Sequence, residues 1–131
     1  MKIKSLILST AAAVLLAGTS LAMADNVLTT TNNSNDYSSV KVGPLCSGTL
    51  GQWTGPGQPQ TKTPWAIVTS LCGKSTGSCN ATLYLDPTTV GKTCGGSSAT
   101  VSMDLSSGNI SAPSSLDDIN ISTAPYQLTI G

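Results

Sequence analysis

Four residue types are missing from this chain: it contains no His, no Glu, no Arg and no Phe. Without His and Glu the usual general bases are gone, and proton transfer falls to six Asp, the lysines and three Tyr. Serine and cysteine triads need a His and are excluded. An aspartate pair can cut a glycosidic bond. However, Asp117 and Asp118 are adjacent, and neighbours on a strand point to opposite faces. Asp86 and Asp104 fall at a turn and a strand end, where Asp serves structure. The chain reads as a non-enzyme.

The shortage of charge narrows the partners. Six Lys and six Asp are the only charged side chains, and Lys2 and Lys4 belong to an N-terminal leader. No dense basic surface exists for nucleic acid, and none for docking to anionic lipid. Metal ligands are scarce too. Asp117, Asp118 and Asn120 lack the spacing of a calcium loop and read as part of a capped turn that starts at Ser114. Gly73-Lys74-Ser75 lacks the upstream glycine of a phosphate-binding loop, since Val68 stands there. No cofactor and no metal are expected.

What is present begins with the leader. Lys2 and Lys4 precede an apolar run from Leu6 to Ala17, and Leu21-Ala22-Met23-Ala24 closes it with a small-x-small pattern. Residues 1–24 therefore read as a secretory signal peptide of bacterial type, cut after Ala24. The run is too short to span a bilayer and no second one follows, so no membrane insertion is expected of the mature form. The destination is the periplasm or the outside of the cell. Residues 25–39 are rich in Thr, Asn and Ser and read as a flexible polar arm, although Val27 and Leu28 could pair as a short strand. Residues 40–131 read as a single β-domain.

The four cysteines, Cys46, Cys72, Cys79 and Cys94, all follow the leader. An even number in an oxidising compartment points to two disulfides, and the spacing lacks the short Cys pairs of a zinc site. Chain entropy separates the three connectivities by less than ~1 kcal/mol and decides nothing. Local pattern says more. Trp65–Asp86 reads as two strands around a Gly/Ser/Thr turn. If Cys72 faces Cys79, then Val68 and Leu83 share an apolar face while Ile67 and Tyr84 lie on the other. The preferred pairing is Cys72–Cys79 with Cys46–Cys94, and the rival joins Cys46 to Cys72 and Cys79 to Cys94.

The remaining chain is a series of short segments. Val40–Val42, Ala99–Leu105 and Tyr126–Ile130 alternate, and turn residues recur every ~8–12 positions. Ser106–Asn109 reads as a hairpin loop, and Gly55–Pro64 as a long Pro/Gly loop. No amphipathic helix is expected after the leader. The fold class is all-β, a small antiparallel β-sandwich or barrel stapled by two disulfides.

One feature suggests a ligand. Trp53 and Trp65 bracket the Pro/Gly loop, and Tyr84 lies on the outer side of the expected hairpin. Exposed aromatics beside amides suit a glycan, and they equally suit a protein partner. The expected function is a small exported non-catalytic binding or structural surface protein. The alternatives are a carbohydrate-binding module using Trp53, Trp65 and Tyr84, and a fimbrial or adhesin-like subunit lending its arm to a neighbour.

Overall fold

A computed structural model describes residues 26–131; the signal peptide assigned to 1–24 lies outside the described residues. Two five-stranded sheets pack face to face. The first holds, in spatial order, β4 (Gln60–Pro64), β1 (Val27–Asn32), β10 (Gln127–Ile130), β9 (Ile119–Ala124) and β8 (Ser115–Leu116). The second holds β3 (Leu45–Cys46), β2 (Tyr37–Val42), β5 (Ser78–Asp86), β6 (Ser97–Asp104) and β7 (Ile110–Ser111). One helix, α1 (Trp65–Cys72), and two 3-10 turns, Ser47–Leu50 and Thr89–Thr93, complete the described chain.

Alternation builds the second sheet. β5 and β6 pair without interruption from Ser78↔Asp104 to Leu85↔Ser97. Cys79, Ala81, Leu83 and Leu85 of β5 face inward beside Val101 and Met103 of β6, and all six are buried. Ile121, Leu128 and Ile130 meet them from the first sheet. Each fully buried Leu or Ile contributes roughly 1.5–3 kcal/mol relative to an exposed one. The β6–β7 connection is the expected hairpin. Asp104 Oδ1 accepts from the backbone N–H of Ser106 at 3.0 Å, and Met103 pairs with Ile110.

The hairpin expected over Trp65–Asp86 is half right. Its second arm is β5, but its first arm is α1. The helix buries Trp65, Val68 and Thr69, with Cys72 half-buried behind them, which is the i, i+3, i+4, i+7 stripe of a helix rather than the alternation of a strand. Ile67, Val68 and Thr69 favour strands intrinsically, but the ends decide. Pro64 precedes the first turn, and Gly73 adopts φ 72° beyond the last. Gly73 N–H donates to Ser70 O and Lys74 N–H to Thr69 O, the paired bonds of a Schellman cap. The disulfides are nonetheless Cys72–Cys79 and Cys46–Cys94. The first joins the end of α1 to the start of β5, not two facing strands.

The polar arm is also corrected. Val27–Asn32 is a strand inside the first sheet, antiparallel to β4 and parallel to β10, and Tyr37–Ser39 belongs to β2. The sheet is therefore mixed rather than purely antiparallel. A Thr- and Asn-rich strand survives there because its most buried polar side chain is satisfied. Buried Asn32 donates from Nδ2 to Asp36 O at 2.9 Å, and its Oδ1 accepts from Ser34 N–H at 2.9 Å. The turn expected through Ser114–Asp118 becomes β8 and a two-residue hairpin loop. Asp117 and Asp118 take φ of 52° and 62°, as a primed turn between Leu116 and Ile119 requires. The Pro/Gly loop is shorter than expected, since Gln60–Pro64 is the edge strand β4. There Pro64 closes the strand at the sheet's margin.

Candidate functional site

The three aromatic candidates do not form one platform. Trp65 is fully buried, its Nε1–H donates to Leu105 O at 2.9 Å, and its ring meets Tyr126 edge-on at 4.9 Å. It is a core residue. Tyr126 reaches it from a left-handed backbone (φ 60°), with its ring so close over Gly108 that a Cβ there would collide with it. Trp53 is half-buried and pairs with Tyr37 at 5.9 Å. Lys92 Nζ lies 4.1 Å from the Trp53 ring centre and 5.2 Å from that of Tyr37. A cation of the protein thus already covers these faces. Tyr84 lies on the outward side of β5, between Ser39 and Ser98, and takes part in neither ring pair.

The Lys92 arrangement follows from close backbone packing. A Cβ at Gly48 would collide with Lys92 O, and one at Gly91 would collide with Tyr37 O. Only glycine lets the two 3-10 turns lie so close to each other and to β2. Ser39 Oγ donates to Gly91 O at 2.7 Å and accepts from Cys94 N–H at 2.8 Å. Cys46–Cys94 locks the same corner.

The concave site is elsewhere, between the sheets. An apolar cavity of about 350 Å³ separates β1 and β4 from β2 and β3. Leu28 and Leu128 line it from one sheet, and Val40, Val42 and Met103 from the other. Helix α1 adds Ile67, Val68 and Leu71, and Leu50 of the first 3-10 turn completes the wall. Leu50 is 53% exposed, Ile67 45% and Leu71 37%, so these three mark the mouth.

Topology explains why the space exists. On the far side β6 and β7 contact β8 and β9, and the sheets close on each other. On the near side the edge strands β3 and β4 leave the sheets splayed, with α1 against β4. Leu28, Val40 and Val42 pack against the core but stay half-buried because they face this space. As a sealed void it would cost roughly 8 kcal/mol at ~24 cal/mol per Å³, comparable with the ~5–15 kcal/mol total stability of a domain. The exposed mouth relieves that cost by admitting solvent.

The lining has no charged residue. Its polar groups are the hydroxyls of Ser47, Thr30, Thr61 and Thr63 and the amide of Gln52. Thr63 Oγ1 donates to Gln52 Oε1 at 3.1 Å. Ser47 Oγ accepts from Val40 N–H and donates to Gln52 O. The site offers shape, apolar contact and neutral hydrogen bonds. Among the described residues no group of three His, Cys, Asp or Glu is placed to hold a metal.

None of this was visible in the sequence as a site. The available signal was indirect: Leu45 and Leu50 sit in a short Gly-broken segment, and Ile67 and Leu71 lie off the buried stripe of α1.

Sandwich, staples and cavity define a small disulfide-bonded β-protein with an open apolar interior. Residues 1–130 match the family model described as the type II secretion system substrate NttC, and the chain belongs to that family. It is an exported protein. The fold is similar to the crystal structure of the Legionella pneumophila type II secretion system substrate NttC, with a TM-score of 0.60 and 23% identity over 82% of this chain and 98% of that one. No curated protein matches. No helix among the described residues is long and apolar enough to cross a membrane.

Proposed function

We propose that this is a non-catalytic binding protein, exported through a type II secretion system, that takes an apolar molecule into the cavity between its sheets. The family supports the route. The observation that carries the binding reading is the 350 Å³ apolar cavity with a mouth of exposed Leu50, Ile67 and Leu71. Its volume lies in the range of small-molecule sites, ~300–1,000 Å³. The chain's lack of His and Glu and the uncharged lining leave no general acid or base at this site.

The other two readings have less support. A sugar platform would lose Trp65 to the core and share Trp53 with Lys92. A subunit lending its N-terminal arm would have to withdraw β1 from between β4 and β10.

A neutral fluorescent probe, N-phenyl-1-naphthylamine, tests the proposal. The native protein should enhance and blue-shift its emission saturably. Ala81 is buried and faces the cavity, so Ala81→Leu should fill the space and weaken binding by about tenfold or more while unfolding no earlier than the native protein. A flat titration with native, folded protein overturns the reading.

A further inference from the structure

Resting on that binding reading, we infer that the cavity takes a single unbranched hydrocarbon chain whose polar end is uncharged and hydrogen-bonds to Gln52 and Thr63. Three observations define the ligand. The first is size: 350 Å³ lies near the lower end of small-molecule sites, ~300–1,000 Å³, which gives room for one chain and not for a large ring system. The second is form. The space is bounded by two sheet faces, with Val40 and Val42 on one side and Leu28 on the other, which suits a narrow chain lying between layers.

The third is charge. No Lys is among the lining residues, so an ionised headgroup drawn in behind its chain would lose water and gain no counter-ion. The Gln52–Thr63 pair offers a neutral group better terms. Thr63 Oγ1 donates to Gln52 Oε1 and keeps lone pairs to accept from a hydroxyl, while the Gln52 Nε2 hydrogens can donate to a hydroxyl or carbonyl oxygen. These two residues join edge strand β4 to the segment just after the 3-10 turn that ends at Leu50, which is at the mouth. A chain entering tail first therefore leaves its head at this pair.

The test is displacement of N-phenyl-1-naphthylamine by 1-dodecanol and by dodecanoate at pH 8, both below their aggregation limits. The two share a chain and differ in head charge. Dodecanol should displace the probe about tenfold more tightly than dodecanoate. Thr63→Val should weaken dodecanol about fivefold more than it weakens the probe. Equal or tighter binding of dodecanoate overturns the neutral-head inference and leaves the cavity reading standing. A dodecanol affinity that falls no more than the probe's in Thr63→Val removes the assigned head position and overturns it as well. Failure of the probe itself to bind native protein removes both, and circular dichroism of each variant separates a lost site from a lost fold.

Discussion

The two halves of the sandwich use the same inward–outward alternation and end in different states. In the β5–β6 half, Leu83 and Leu85 are fully buried, and Ile121 and Ile130 join them from the other sheet. In the β1–β2 half, Leu28, Val40 and Val42 also point inward but stay half-buried against the cavity. These side chains are all aliphatic, so they do not separate the halves, although β1 and β2 also bury polar Thr30, Asn32 and Ser38. What differs is the edge. Short strands β7 and β8 close one side, whereas β3 and β4 stand apart on the other. The same side chains make a core where the edges meet and a site where they do not.

Stability should follow that division. Trp65→Ala is expected to cost ~3–5 kcal/mol, because it empties the largest buried side chain and leaves Leu105 O without its donor. Val42→Ala, on the open side, is expected to cost about 1 kcal/mol or less, because its side chain is only partly withdrawn from water. Urea denaturation of both variants measures the difference. Equal costs would mean that the open half is packed as tightly as the closed one.

The disulfides sharpen the comparison because their effects on stability and binding should cross. Cys46–Cys94 spans 48 residues and Cys72–Cys79 spans 7. Chain entropy gives the long loop ~4 kcal/mol and the short one ~2.4 kcal/mol. The short one, however, anchors α1, which carries Ile67, Val68 and Leu71 into the cavity wall. Replacing Cys72 and Cys79 by Ala should therefore disturb probe binding more than replacing Cys46 and Cys94, although it destabilises less. The same order in both measurements would show that α1 is held by packing alone.

How much of this was legible follows from the range of the interactions. β5 and β6 announce themselves because Cys79–Leu85 and Ala99–Leu105 alternate within a few residues. The inward placing of Val68 and Leu83 and the outward placing of Ile67 also stand, for a reason the sequence did not reveal. Val68 and Ile67 are about 100° apart around a helix, so Val68 is buried while Ile67 reaches the cavity mouth, and the same disulfide closes either geometry. Pro64 and Gly73 were the overlooked signals of helix ends. β1 reads mostly as an arm because its partners are remote, β4 about 30 positions away and β10 about 100, and because Thr30 needs no apolar neighbour where it lines a cavity. The cavity itself is a product of sheet edges that fail to meet, and no local pattern encodes that. Trp65 reads as a candidate surface ring in the sequence because its burying partners, Leu105 and Tyr126, are also remote.

Charge offers the smallest test of the same division. The cavity lining is uncharged, while acidic groups gather at another edge, around the turn between β1 and β2. There Asp36 is pushed above its ordinary carboxylate value, first by burial and then by the negative charges of Asp86 and Asp117. A raised folded-state value means that folding favours the protonated form. The associated stability is present below the unfolded value and is lost as pH rises through the folded one. Asp36→Asn keeps the neutral form at every pH. It should be slightly more stable than the native protein at neutral pH, and the gap should close as pH falls and Asp36 becomes protonated. Salt should narrow the part of the gap due to Asp86 and Asp117 and leave the part due to burial. Thermal unfolding across pH and salt checks both trends, with probe binding unchanged because Asp36 is not among the residues lining the cavity. A gap that widens toward acid pH would reverse the sign assigned to Asp36, and a loss of probe binding would join the acidic edge to the open half.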